Sequence, residues 1–83
     1  MKTILYFSAP WCGPCKTFGP IMDSVKEKGI NVTKVDVDIE QELTNQYGIR
    51  NVPTIILVKD GVELDRKSGV QSEIQVTNWY NEF

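Results

Sequence analysis

Apolar residues along this chain keep a strand period in some stretches and a helical period in others, and the places where one gives way to the other mark out its elements. Thr3 to Ser8 is a near-continuous apolar, β-prone run, the pattern of a strand covered on both faces in the middle of an α/β sheet. From about Gly13 the period becomes helical: Cys15, Phe18, Met22 and Val25 share a face, with Ile21 beside them, while Lys16, Asp23, Lys26 and Glu27 point away. Pro14 suits the first turn of that helix. Pro20 lies inside it, lacks the amide hydrogen the ladder needs and is expected to kink it, and Gly29 ends it.

Ile30 to Val37 alternates Val32, Lys34 and Asp36 against Thr33, Val35 and Val37, which predicts a second strand with a partly polar face. A helix between two strands gives a βαβ unit and parallel pairing. Asp38 followed by Gln41 resembles a capping box opening a short helix that turns Ile39, Leu43 and Tyr47 inward and stops at Gly48. Pro53 to Val58 is a third strand, joined by a tight-turn signal at Asp60-Gly61 to a fourth, Val62 to Arg66, as a hairpin. After Gly69, Ser72 and Gln75 form another capping-box pair, and Val76, Trp79, Tyr80 and Phe83 give a last amphipathic helix. The order β-α-β-α-β-β-α is an α/β fold: a three-layer sandwich over a four-stranded mixed sheet, with residues 1–83 as a single domain.

Composition narrows the function. With 24% charged residues and a formal net charge of −2, the chain has no basic surplus for phosphates, which argues against nucleic-acid binding. No apolar run approaches the ~20 residues of a membrane helix, and Met1-Lys2-Thr3 leads straight into a strand rather than a signal-peptide core, so a cytoplasmic, non-membrane protein is expected.

Only two cysteines are present, two residues apart in Trp11-Cys12-Gly13-Pro14-Cys15, where a buried strand hands over to a helix N-terminus. A disulfide across so short a ring gains little loop-closure entropy, so an inert staple is a poor reason for the spacing. A tetrahedral zinc site needs four ligands, and with no histidine and no third cysteine only carboxylates remain; no metal and no cofactor is expected. Redox chemistry suits the pair. The thiolate is the reactive form, and free cysteine, with a pKa near ~8.5, is mostly protonated at neutral pH. Unpaired amides and the positive end of a helix dipole favour an anion at Cys12, which makes it the expected nucleophile. Cys15, one turn on and on the apolar face, is placed to attack the mixed disulfide that Cys12 forms.

These residues resemble the thioredoxin family over essentially the whole chain: Trp-Cys-Gly-Pro-Cys-Lys at 11–16, then Pro20, Tyr47-Gly48-Ile49-Arg50, Val52-Pro53-Thr54, Lys59-Asp60-Gly61 and Gly69, in that order. The resemblance implies a protein-disulfide reductase cycling Cys12 and Cys15 between dithiol and disulfide, with Gly13, Pro14 and Lys16 as active-site support. It makes Pro53 the cis-proline beside the sulfurs, an isomer that costs only about 0.5–1 kcal/mol before proline. It also makes Trp11, Val52, Pro53, Thr54 and Gly69 the substrate groove, although core packing is the other reading of Trp11. The implied partners are disulfide-bearing proteins, ribonucleotide reductase among the candidates, and an NADPH-dependent flavoprotein thioredoxin reductase, acting on a monomer. Two other functions stay open: a glutathione-dependent glutaredoxin, and a binding subunit that does not use its thiols.

The chain departs from the family pattern in two respects. It begins at what resembles the family's second strand, so its topology is similar to glutaredoxins and to the shortest archaeal and viral thioredoxin-like proteins. The family's buried aspartate is replaced by Tyr6, with Ser8 where many members have tryptophan, and Lys34 stands at the position of that aspartate's lysine partner. A phenol, with a reference pKa of about 10, is a poor base, and a lysine becomes one only if burial lowers its pKa. Tyr6 and Lys34 are expected on neighbouring strands with their polar ends meeting beneath the active site.

Overall fold

A computed structural model describes residues 1–83. The elements are β1 (Lys2–Ser8), α1 (Gly13–Glu27), β2 (Val32–Asp36), α2 (Gln41–Gln46), β3 (Thr54–Lys59), β4 (Val62–Ser68) and α3 (Glu73–Glu82). The sheet order is β2-β1-β3-β4. β1 runs parallel to β2, as a helical crossover requires, and antiparallel to β3, which pairs antiparallel with β4. This is the expected four-stranded mixed sheet, with the two most apolar strands in the middle.

Side chains alternate across the sheet and so build two cores. On one face Ile4, Tyr6, Ile55 and Leu57 meet Phe18, Met22 and Val25 of α1 and Val76 and Trp79 of α3. On the other, Phe7, Val35, Ile56 and Val58 are covered by Leu43 and Tyr47 from the α2 region, with the Tyr47 ring tilted 57° against Phe7 at 5.9 Å. An ion pair between Lys28 and Glu73 joins the end of α1 to the start of α3. α1 runs unbroken through Pro20, whose ring is exposed, and Gly29 follows it with φ 95°, a conformation that glycine adopts without steric cost.

The hairpin turn follows its sequence signal: Asp60 and Gly61 both have positive φ, 51° and 82°, the pairing whose twist matches antiparallel strands. β4 outlasts its predicted end at Arg66, since pairing with β3 continues to Ser68 opposite Thr54. β2 is shorter than Ile30 to Val37, because only Val32–Asp36 find partners, along Ile4 to Ser8. The capping box of α3 is present in both directions, with the Gln75 amide donating to Ser72 Oγ at 3.1 Å and the Ser72 amide to Gln75 Oε1 at 2.9 Å.

Three expectations fail at element ends. Asp38 does not cap α2, whose N-cap is Glu40 without a side-chain bond; the Asp38 amide donates instead to Asp36 Oδ1 at 2.9 Å, and Gln41 Nε2 to the Asp38 carbonyl at 3.0 Å. Ile39 is therefore not turned inward and stays 77% exposed. Phe83, beyond the last turn of α3, has no element to cover it and is 47% exposed.

Candidate active site

β1 ends at Ser8 in the sheet interior, and the chain crosses Ala9 to Trp11 before α1 begins, which sets Cys12 at the helix N-cap in an extended conformation (φ −82°, ψ 113°). The Cys15 amide, one of the donors a helix leaves unpaired in its first turn, points at Cys12 Sγ from 3.2 Å. The two cysteines are joined by a disulfide with Cα atoms 5.3 Å apart. An amide aimed at sulfur and the helix dipole both favour negative charge at Cys12 once the bond is reduced.

The sulfurs are less open than a solvent-facing thiol would be. Cys12 is 4% and Cys15 7% exposed, packed with Ala9 and flanked by Val37 and Val52. Cys12 Sγ lies 3.6 Å from the Val52 carbonyl oxygen, and the Val52–Pro53 bond is cis. The Gly69 amide donates to the Pro53 carbonyl at 2.9 Å and Thr54 Oγ1 to the Asn51 carbonyl at 2.7 Å, so Val52, Pro53, Thr54 and Gly69 do come together. Pro53 and Thr54 are buried, however, and neither lines the nearby cleft of about 220 Å³, whose walls include Trp11, Val37, Ile49, Arg50 and Val52. Trp11 is 67% exposed, which excludes core packing, and its Nε1 donates to Asp38 Oδ2 at 2.8 Å.

Tyr6 and Lys34 are register partners on β1 and β2 and share the wall of a cavity of about 270 Å³ that reaches Cys15 and Lys16. Their polar ends do not bond to each other: Lys34 is exposed, and the Tyr6 hydroxyl donates to the Cys15 carbonyl at 3.4 Å. Burial pushes the Tyr6 phenol above its ordinary value, with the Ser8 hydroxyl working against that and the Asp23 charge adding to it. Tyr6 is thus a buried donor that holds its proton. Sequence reasoning missed Asp36 and Asp38. The signal for Asp36 was available, since Lys34 and Asp36 are two apart on one strand and therefore on one face. Exposed Gly13, Pro14 and Lys16 form the first turn of α1. No three acidic, histidine or cysteine side chains gather into a metal-binding group, and no helix is long and apolar enough to cross a membrane.

The thioredoxin family model matches residues 1–82. The chain belongs to the thioredoxin family. Among its relatives are the thioredoxin of Rickettsia felis, 38% identical over 98% of this chain and 80% of that one, and that of Mycoplasmoides gallisepticum, 43% identical over 82% and 70%. Among solved structures, a point mutant of the Halobacterium salinarum thioredoxin superposes with a TM-score of 0.92 at 34% identity, covering 99% of this chain and 74% of that one. Thioredoxin-2 of the malaria parasite, described as a component of its protein secretion machinery, gives 0.93 at 29% identity over 100% and 84%. With the bonded Cys12–Cys15 pair, membership makes this chain a thiol–disulfide oxidoreductase. Disulfide-bearing proteins and a thioredoxin reductase are the general kind of partner that membership of this family implies.

Trp11, next to Cys12 in the chain, offers a direct readout. A disulfide quenches a neighbouring indole, so emission is expected to rise on reduction, with Trp11→Phe removing the change and Trp79→Phe, in the α3 core, keeping it. Steady-state fluorescence of the two variants checks this; the opposite pattern would place Trp11 away from the active sulfurs.

Proposed function

We propose that Cys12 is the nucleophile and Cys15 the resolving thiol of a general protein-disulfide reductase, and that a flavoprotein, NADPH-linked thioredoxin reductase returns the pair to the dithiol. The observation that carries this reading is the Cys15 amide aimed at Cys12 Sγ from 3.2 Å at a helix N-cap, an arrangement that stabilises one thiolate and not the other. The Cys12 thiolate attacks a substrate disulfide, and one substrate sulfur leaves as thiolate. Cys15 then gives up its proton and attacks Cys12 Sγ; the Cys12–Cys15 bond forms as the Cys12–substrate bond breaks, and the two electrons pass to the second substrate sulfur.

Trp11 and Val52 provide the substrate surface through side chain and carbonyl, while buried Pro53 and Thr54, with Gly69, serve by holding the backbone beside the sulfurs. Gly13, Pro14 and Lys16 shape the helix start; Tyr6 fastens that start to β1 through the Cys15 carbonyl, and Lys34 adds a positive charge at the cavity mouth. The protein works as a cytoplasmic monomer, with ribonucleotide reductase among its substrates.

Two measurements test the reading. Cys15→Ser is expected to trap a covalent Cys12–substrate adduct, visible by mass spectrometry, and the wild type is expected to be reduced faster by NADPH with a thioredoxin reductase than by glutathione. Absence of the adduct would remove the assigned roles; a preference for glutathione would make the protein a functional glutaredoxin.

A further inference from the structure

Resolution requires the Cys15 thiol to lose a proton, and the walls of the cavity next to Cys15 restrict what can take it. That cavity is lined by Tyr6 and Ser8 from β1, Lys16 from α1, and Lys34 and Asp36 from β2, besides Cys15 itself. Tyr6 holds its proton, as its burial and its bond to the Cys15 carbonyl dictate. Lysine ammonium groups are donors without acceptor capacity. Asp36 is the single carboxylate on the wall.

We infer that Asp36 is the proton acceptor for Cys15, acting through solvent admitted to the cavity between them. Three observations carry the assignment. Asp36 pairs in register with buried Ser8 at the end of β1, which brings its half-buried side chain to the Cys15 end of the sheet. Its Oδ1 is anchored by the Asp38 amide at 2.9 Å, which holds the carboxylate in place, while Oδ2 makes no bond to protein and is free to accept. The space, about 270 Å³, has room for several waters at about 30 Å³ each, enough for a relay. The charges facing Asp36 are Lys34 from its own strand and Lys16 from α1; Tyr6 faces it from β1, Asp23 of α1 acts on Tyr6, and the Asp38 carboxylate is engaged by Trp11. In the step, the Cys15 proton passes through solvent to the Asp36 carboxylate. The Cys15 sulfur bonds to Cys12 Sγ, the Cys12–substrate bond breaks, and the departing substrate thiolate is protonated from Asp36 or from water.

The inference rests on Cys15 being the resolving thiol, and the test separates the two. Reduced protein is mixed with dithio-bis-nitrobenzoate in a stopped-flow instrument: the first coloured thiolate reports attack by Cys12, the second reports resolution by Cys15. Asp36→Asn, which keeps an Oδ1 for the Asp38 amide, is expected to slow the second phase about tenfold or more near neutral pH while sparing the first. The deficit should close at alkaline pH, because above about 8.5 a cysteine ionises unaided. Asp36→Glu should recover most of the rate, and Asp23→Asn, which removes an equal charge off the cavity wall, should leave both phases unchanged. A wild-type second phase and pH profile in Asp36→Asn would overturn the inference, as would an equal loss in Asp23→Asn. If Cys15→Ser still released both thiolates, the resolving role itself would fall.

Discussion

Cys12→Ser is expected to lower insulin reduction to the rate of dithiothreitol alone, read as precipitation of the insulin B chain. Deleting a catalytic nucleophile removes on the order of 10⁶ of rate where it has been measured, so essentially nothing above background should remain. The substitution isolates chemistry from folding. Cys12 is the N-cap of α1, and serine is among the preferred residues there, with a hydroxyl suited to the Cys15 amide that now points at Sγ. The lost disulfide closes a ring of only two intervening residues and contributes little entropy to stability. The variant should therefore fold and still fail. Reduction by Cys12→Ser at the wild-type rate would leave the site without its assigned nucleophile, and reduction no faster than dithiothreitol by the wild type would remove the activity altogether.

Phe18→Ala is expected to cost about 3–5 kcal/mol, the range for emptying a buried aromatic site. The Phe18 ring is fully buried between the sheet and the helical layer and meets the Tyr6 ring edge-on at 5.5 Å and 81°. A domain of this length holds only about 4–12 kcal/mol in total at ~0.05–0.15 kcal/mol per residue, so the loss is a large share of what keeps the chain folded. At about 4–8 °C per kcal/mol the midpoint should fall by more than ten degrees, measured by circular dichroism or calorimetry. Ile74→Ala, on the 72% exposed side of α3, should stay within about 0.5 kcal/mol of the parent. A midpoint for Phe18→Ala within a few degrees of the parent would mean that the layer repacks and that the ring is not structurally central.

Tyr6 and Lys34 show how far a sequence goes toward an active site. Their shared register was legible, because a βαβ unit fixes parallel pairing and a strand's period of two fixes the face. Their failure to bond was not legible, since it depends on where each side chain ends: the Tyr6 hydroxyl turns to the Cys15 carbonyl, and Lys34 stays at an exposed edge strand. Asp38 teaches the same lesson. Its spacing to Gln41 promised a cap, yet its carboxylate accepts the Trp11 indole from across 27 residues of chain, a competitor that local spacing cannot reveal.

By itself the sequence determined the order of strands and helices, the faces of α1 and β3 that are buried, the hairpin turn at Asp60 and Gly61, the cap at Ser72, and the placement of both cysteines at a helix start. Each of these is a local property: a period of apolar positions, a backbone preference, or a bond between residues three apart. Only the tertiary structure decided the sheet order, the exposure of Ile39 and Phe83, the burial of both sulfurs, and the arrival of Ser8 and Asp36 beside Tyr6 and Lys34 on the cavity wall at Cys15. Burial at an element's end depends on whether another element lies over it. Polar partners converge according to strand register and loop path, which a linear pattern of apolar and polar positions does not contain.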